Sequence, residues 1–229
     1  MKTNRNTLRA LSLLLQYPDA KHRRLLPLLL EAIDEESVLS AARRTEIRAL
    51  ATGILRADPL EAESRYVELF DRGRSTSLHL FEHVHGDSRD RGPAMVDLIA
   101  TYRSAGLDLG AQELPDHLCV VLEFASTQQA ALAREFLGEM AHILKAIFSA
   151  LRQRDSAYAT LLAAVLELAG QKAEAVPFAA DEDLDEAWAE PAAFDGCASR
   201  GQTAPGKEQA IRIVPRSHAR SATGARQEA

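Results

Sequence analysis

The sequence predicts an all-α protein, a single bundle of helices. Apolar residues recur at spacings of three and four along most of the chain, which is the period of a helix with one buried face. No run alternates apolar and polar residues for long enough to build a sheet, and there is no glycine-rich phosphate loop. With 229 residues, 46% of them hydrophobic, the chain is long enough for one substantial core.

Three helices are predicted in the first 57 residues. The first has an apolar stripe made of Leu8, Leu11, Leu14 and Leu15. In the second, Pro27 indicates either a kink or a late helix start, because proline lacks the backbone donor that a helix interior uses. The third has an apolar stripe made of Ile47, Leu50, Ala51, Ile54 and Leu55.

The fourth helix has a start signal and a stop signal. Asp58 is a favourable N-cap, Pro59 occupies the first helical position, and Glu61 is placed to complete a capping box. Gly73 is expected to end this helix. Its apolar stripe is made of Ala62, Tyr66, Leu69 and Phe70.

Glycine and proline divide the next part of the chain. A short helix is predicted over residues 78–85, with Gly86 as its stop. Pro93 opens a helix that ends near Gly106, and Pro115 opens the next one.

The remaining helices predict one folded domain over residues 1–170. Residues 128–154 form a long helical stretch that is broken near Gly138, and residues 157–168 form the last strong helix. Residues 171–190 are acidic and have room for one short helix around Leu184 and Trp188. Residues 191–229 are rich in Gly, Ser, Pro, Gln and Arg, so we expect a mostly disordered, flexible tail.

Composition excludes several classes of function. The net charge is −6, and no basic excess points to nucleic acid. The apolar run at residues 11–15 is too short for a signal sequence, and the one at residues 25–30 is too short to span a bilayer, so no membrane insertion is expected. Cys119 and Cys197 form no metal-type pair, which fits a reducing cytoplasm.

One short pattern suggests a metal site. His79, Glu82 and His83 fit the H-x-x-E-H pattern, in which two imidazoles on one helix face bind zinc and the glutamate acts as a general base. The pattern is short and no downstream glutamate completes the ligand set, so we expect no metal. The alternative is that these three side chains form a polar rim beside apolar neighbours.

A second constellation opens the helix after Pro115. Asp116 in a first helical turn is favoured by the helix dipole, which is a purely structural reason for its presence. Asp116 and His117 are equally suited to bind a cationic or hydrogen-bonding group of a peptide. From the residues alone both interpretations stay open.

A third group of residues combines an apolar stripe with charged loops. Tyr66, Leu69 and Phe70 have the spacing of core residues, but they precede the polar loop that contains Arg72, so one edge is a candidate groove wall. Leu122 lies on the apolar face of the helix after Pro115. A second polar loop alternates in charge through Asp87, Arg89, Asp90 and Arg91, as a self-paired solvated loop does.

Long ungapped strings in these regions resemble a known family. YVELFDRGR, LFEHVHGDSRDRGPAMVDL and ELPDHLCVVLEF are similar to the assembly chaperones of respiratory nitrate reductase, the NarJ branch of the TorD/DmsD-like maturation proteins. The likeness is dense from about residue 11 to residue 124. It implies a TorD-like helical bundle in the cytoplasm, with Pro115, Asp116 and His117 in a leader-peptide recognition signature.

The resemblance implies a chaperone without enzymatic activity. Its client would be the immature catalytic (alpha) subunit of respiratory nitrate reductase, held competent for molybdenum cofactor insertion and membrane attachment. The chaperone would hold no cofactor of its own and would not be part of the mature enzyme. The expected client-peptide contacts are Tyr66, Leu69, Phe70, Arg72, Glu82, His83, Asp87, Asp116, His117 and Leu122. Two alternatives are a zinc hydrolase and a passive helical adaptor.

Overall fold

A computed structural model describes residues 3–86, 88–110 and 113–177. Within these residues the chain forms ten α-helices and one short 3₁₀ turn at Arg74–Thr76, with no strand beyond one isolated bridge, so the all-α prediction is confirmed. The helices are α1 Arg5–Leu14, α2 Ala20–Glu36, α3 Ala41–Arg56, α4 Pro59–Phe70, α5 Glu82–His85, α6 Arg91–Ser104, α7 Leu118–Thr127, α8 Ala130–Glu139, α9 Ala141–Gln153 and α10 Ala159–Leu168.

Helix α1 packs against α2, α7 and α10 through the predicted stripe, whose four leucines are all fully buried. The amides in the first turn of α1, which have no partner within the helix, donate to a carboxylate at the end of α2. Glu36 accepts hydrogen bonds from the amides of Asn6 at 2.8 Å and Thr7 at 2.7 Å. Pro27 lies exposed inside α2, so of the two alternatives for this proline the late helix start is wrong.

Helix α4 begins where the capping residues predict. Asp58 accepts hydrogen bonds from the amides of Leu60 and Glu61, and Pro59 is the first residue of α4. The stripe on α3 is buried except for Leu55, which is 42% exposed. Helix α4 ends at Phe70, three residues before the glycine expected to stop it.

Helix α10 is the centre of the bundle. It contacts α1, α3, α8 and α9, and eight of its ten residues are buried. A helix that is apolar on every side is stable only when other helices surround it. Before it, α8 and α9 are separated at Met140, close to the predicted break, and Gly170 follows α10 with φ +72°.

Two predicted helix starts are also wrong, both for the same reason. Residues 78–81 are not helical, because residues 78–80 pair with residues 116–118 through an antiparallel bridge between His79 and His117. The helix predicted from Pro115 begins instead at Leu118, since the preceding backbone takes part in this bridge. The acidic segment beyond residue 177 and the predicted tail lie outside the described residues.

Candidate functional site

The bridge joins the segment before α5 to the start of α7. The Leu80 amide donates to the carbonyl of Asp116 at 3.0 Å, and the Leu118 amide donates to the carbonyl of Leu78 at 2.8 Å. This pairing places the HLFEHVH string beside the ELPDH string. The two most informative stretches of the sequence therefore meet at one place in the fold.

The Asp116 side chain lies at the centre of this junction and is fully buried. It is not in the first turn of a helix, so the first of the two interpretations, a charge placed to favour the helix dipole, is wrong. Its Oδ2 accepts a hydrogen bond from the Phe81 amide at 3.2 Å and lies 3.6 Å from Nη2 of Arg91. Its Oδ1 lies 3.5 Å from Nδ1 of His79. Asp116 thus contacts three groups of the protein and has no surface open to a ligand.

The two histidines of the bridge have opposite electrostatic environments. Their rings meet edge to face with centroids 4.9 Å apart. Contact with Asp116 raises the pKa of His79 above its usual value, although partial burial opposes this. Burial, with a smaller effect of His79, lowers the pKa of His117 to about 4. His117 is the N-cap of α7, where its Nδ1 accepts from the Cys119 amide at 3.3 Å.

Burial alone would raise the pKa of Asp116. The opposing interactions win, because His79, the Phe81 amide and Arg91 together hold that pKa below its usual value. The junction therefore contains a buried carboxylate that is ionised at neutral pH, compensated by cationic and hydrogen-bonding neighbours.

Glu82 and His83 lie at the edge of the same junction and are partly exposed. Glu82 accepts a hydrogen bond from the Ser77 hydroxyl at 2.6 Å, and its other carboxylate oxygen lies 3.3 Å from Nη2 of Arg91. Nε2 of His83 is 2.8 Å from the carbonyl of Ser77. Unlike Asp116, these two side chains are available to a ligand.

The geometry does not match a zinc site of the H-x-x-E-H type. That site needs both imidazoles on one helix face, but His79 belongs to the bridge and only His83 lies in α5. Among the described residues, no group of three or more His, Cys, Asp or Glu side chains is placed to hold a metal ion. Over the same part of the chain, no helix has the length and apolar character needed to cross a membrane.

Three of the expected groove residues are core residues. Leu122 is fully buried, while Tyr66 and Phe70 are 7% and 6% exposed. The Tyr66 hydroxyl donates to the carbonyl of Leu15 at 2.7 Å, and its ring packs against Phe70 and Tyr158. The expectation that these side chains line an open groove is wrong, because helical spacing alone does not separate a core face from a groove wall.

Leu69 borders an open groove between α3, α4 and the turn that joins α9 to α10. The cavity has a volume of about 750 Å³. Its apolar walls are made of Gly53, Ile54, Ala57, Ala62, Leu69 and Tyr158. Arg65, Glu68, Arg154 and Asp155 also line it. Arg72 is exposed at the end of α4, where its Nη1 lies 3.2 Å from Oε2 of Glu68.

Sequence reasoning missed the small residues of this groove. Ala49 and Gly53 on α3 and Ala57 at its C-cap recur every four residues, and all three line the cavity. Small residues at that spacing leave room for a close neighbour, and this signal was present in the sequence. Reasoning from the sequence also missed Ser77 as a partner of Glu82. Of the other expected site residues, Asp87 lies outside the described residues.

Comparison with known proteins gives consistent matches. The family model described as "Nitrate reductase delta subunit" matches residues 36–164. The nitrate reductase molybdenum cofactor assembly chaperone NarJ of Escherichia coli K12 is 40% identical over 218 residues, covering 89% of this chain and 92% of that protein. A probable chaperone of the same name from Bacillus subtilis is 30% identical and covers 70% of this chain and 86% of its own length.

A solved structure supports the fold. The crystal structure of a putative redox enzyme maturation protein from Archaeoglobus fulgidus superposes with a TM-score of 0.50 and 21% sequence identity, covering 73% of this chain and 94% of that one. At this identity the likeness concerns the arrangement of helices alone.

Proposed function

Because the chain belongs to the nitrate reductase delta subunit family, we propose that it is a dedicated assembly chaperone of respiratory nitrate reductase. It binds the immature catalytic subunit and keeps that subunit competent for molybdenum cofactor insertion and membrane attachment. The observation that carries this proposal is the 40% sequence identity to the Escherichia coli chaperone, which extends over 89% of this chain and 92% of that protein. The role is not enzymatic, and the molybdenum cofactor is destined for the client and not for the chaperone. The chaperone acts in the cytoplasm and leaves before the enzyme is complete.

The client's N-terminal peptide binds as an amphipathic helix in the groove between α3 and α4. The small residues of α3 and the Leu69 side chain accept its apolar face. The 750 Å³ volume suits a few side chains of a helix rather than a folded domain. Arg72, at the end of α4, is placed to meet polar groups of the peptide.

The peptide continues toward Glu82 and His83. Two neighbouring residues link the groove at Leu69 to the surface at Glu82. The Thr76 hydroxyl donates a hydrogen bond to the carbonyl of Leu69, and the Ser77 hydroxyl donates one to Glu82. The Glu82 carboxylate meets basic groups of the peptide. Tyr66, Phe70, Asp116 and Leu122 support these surfaces from inside the protein, and His117 does so from the start of α7.

Co-purification from cells that cannot make the molybdenum cofactor tests the proposal. The tagged chain should retain the catalytic subunit in its cofactor-free form, and binding should fall when the mature enzyme is offered instead. A passive adaptor would bind both forms equally well. Absence of the catalytic subunit among the bound proteins would contradict the chaperone role.

Calorimetric titration with a synthetic peptide of the client's N-terminus tests the groove. Leu69→Glu places a charge in the groove wall and should weaken binding by at least about tenfold. Leu132→Glu is the matched control, because Leu132 lies on α8 and is 52% exposed. Equal affinity for both variants would exclude this groove as the peptide site.

A further inference from the structure

Arg91 links the buried carboxylate of the junction to the exposed one. A single nitrogen, Nη2, lies 3.3 Å from Oε1 of Glu82 and 3.6 Å from Oδ2 of Asp116. The side chains of Arg91 and Glu82 are 27% and 31% exposed, whereas Asp116 is fully buried. The guanidinium group thus extends from the interior to the edge of the candidate surface.

The position of Arg91 in its helix is unfavourable by itself. It is the first residue of α6, where the unpaired amides and the helix dipole disfavour a cation. Two carboxylates offset this cost. An arginine in this place is therefore explained by its contacts and not by the needs of the helix.

Both carboxylate oxygens of Glu82 are held. Oε2 accepts the hydroxyl hydrogen of Ser77, and Oε1 faces Arg91. Asp116 in turn holds Arg91 and the backbone of Phe81, the residue before Glu82. The side chain and the main chain of Glu82 are thus fixed from two directions, by the buried Ser77 and Asp116 and by the partly exposed Arg91.

We infer that Arg91 and Asp116 are positioning residues that act on the client through Glu82. This inference rests on the proposed function, because it takes Glu82 as a contact of the client peptide. It gives the Asp-His signature a different role from direct recognition. Asp116 sets the geometry of Arg91, Arg91 sets that of Glu82, and only Glu82 meets the peptide.

A double-mutant cycle separates positioning from direct contact. Arg91→Lys keeps the positive charge but loses the planar group that contacts both carboxylates. In calorimetric titration with the synthetic N-terminal peptide, Arg91→Lys should weaken binding about fivefold in the wild-type background. In the Glu82→Gln background the same substitution should have no further effect. Arg89→Lys, an exposed arginine two residues earlier, is the control and should bind as the wild type does.

Ser77→Ala provides a second route that substitutes neither Asp116 nor Arg91. It removes the other hydrogen bond to Glu82, and its effect on affinity should also vanish in the Glu82→Gln background. If Arg91→Lys does not fold, as judged by its melting temperature, the Ser77→Ala cycle decides.

The outcomes distinguish this inference from the proposed function. Wild-type affinity in both Arg91→Lys and Ser77→Ala, or effects that persist unchanged without Glu82, would overturn the positioning role. A wild-type protein that retains the immature client but gives no heat with the peptide would overturn both the peptide site and this inference, while leaving the chaperone role in place.

Discussion

Replacing Asp116 with asparagine is expected to lower the free energy of unfolding by about 2–3 kcal/mol, well above the range for an exposed helix-terminal charge. Asparagine has almost the same shape and retains an acceptor for the Phe81 amide. What it loses is the negative charge between His79 and Arg91. The cost is therefore electrostatic and not a packing defect.

The magnitude follows from the full burial of Asp116 and the partial exposure of its charged partners, His79 and Arg91. Breaking a fully buried ion pair typically costs about 3–5 kcal/mol, because the remaining charge stays desolvated. Arg91 keeps Glu82 and is 27% exposed, so part of that cost is relieved. A carboxylate in an exposed first helical turn would contribute only about 0.3–1 kcal/mol.

The assay is thermal and urea unfolding at several pH values. For a domain of this size, about 2–3 kcal/mol corresponds to a fall in melting temperature of about 4–12 °C. Asp97→Asn, an exposed carboxylate on α6, is the control and should stay within about 0.5 kcal/mol of the wild type.

The pH dependence has a definite sign. The pKa of Asp116 is lowered in the fold, so its contribution is present above about pH 4 and is lost as the pH falls through the folded value. The pKa of His79 is raised, so its share is present below about pH 6.5 and is lost as the pH rises through the folded value. The difference between wild type and Asp116→Asn should be largest between these limits. A variant that melts within about 1 °C of the wild type throughout would refute the reasoning.

Three further predictions concern other residues. In urea unfolding, Gly73→Ala should destabilise the fold by more than about 1 kcal/mol, because the added Cβ would lie 2.6 Å from the carbonyl oxygen of Leu69. Gly53→Ala should instead stabilise it by about 0.5–1 kcal/mol, because Gly53 lies inside α3 and a Cβ added there would meet no neighbouring group within 4 Å. Because the fold lowers the pKa of His117 to about 4, the protein should lose stability as the pH falls from about 6.5 to 4. In melting curves this loss should be smaller in His117→Gln, but not in the control His142→Gln, which replaces an exposed histidine. Protein purified without chelator should contain no stoichiometric zinc by elemental analysis; about one zinc per chain, lost in His79→Ala/His83→Ala, would contradict the geometry of the bridge.

Local signals predicted most of the helices. The α1 stripe, the Asp58 cap and the break before α9 depend on residues within one or two turns of each other, and the structure confirms them. The bridge between His79 and His117 joins residues 38 positions apart, and no local pattern encodes such a pairing. Because of this bridge, the helices predicted from residues 78 and 115 begin about one turn later, at Glu82 and Leu118.

The sequence singled out two stretches that the fold brings together, but it did not indicate which of their side chains are buried. Glu82 and His83 lie at the surface as a polar rim requires. Asp116 looked like a helix-terminal charge because proline precedes it, and only the fold shows that it is buried. Leu122 and Leu69 have equivalent apolar spacing, yet one is core and the other borders the groove. Burial depends on neighbours that are distant in sequence, which is why periodicity could not assign these roles.

The central position of α10 has a consequence for how the protein is made. Ribosomes add residues from the N-terminus at about 5–20 per second, so α1 emerges well before α10, one of the three helices it packs against, is synthesised. Until residues 159–168 are available, the leucines of α1 and the apolar face of α3 lack a partner that the finished bundle provides. Nascent chains that stop short of α10 should therefore remain sensitive to protease. The bundle should form in one cooperative step after α10 has left the ribosome.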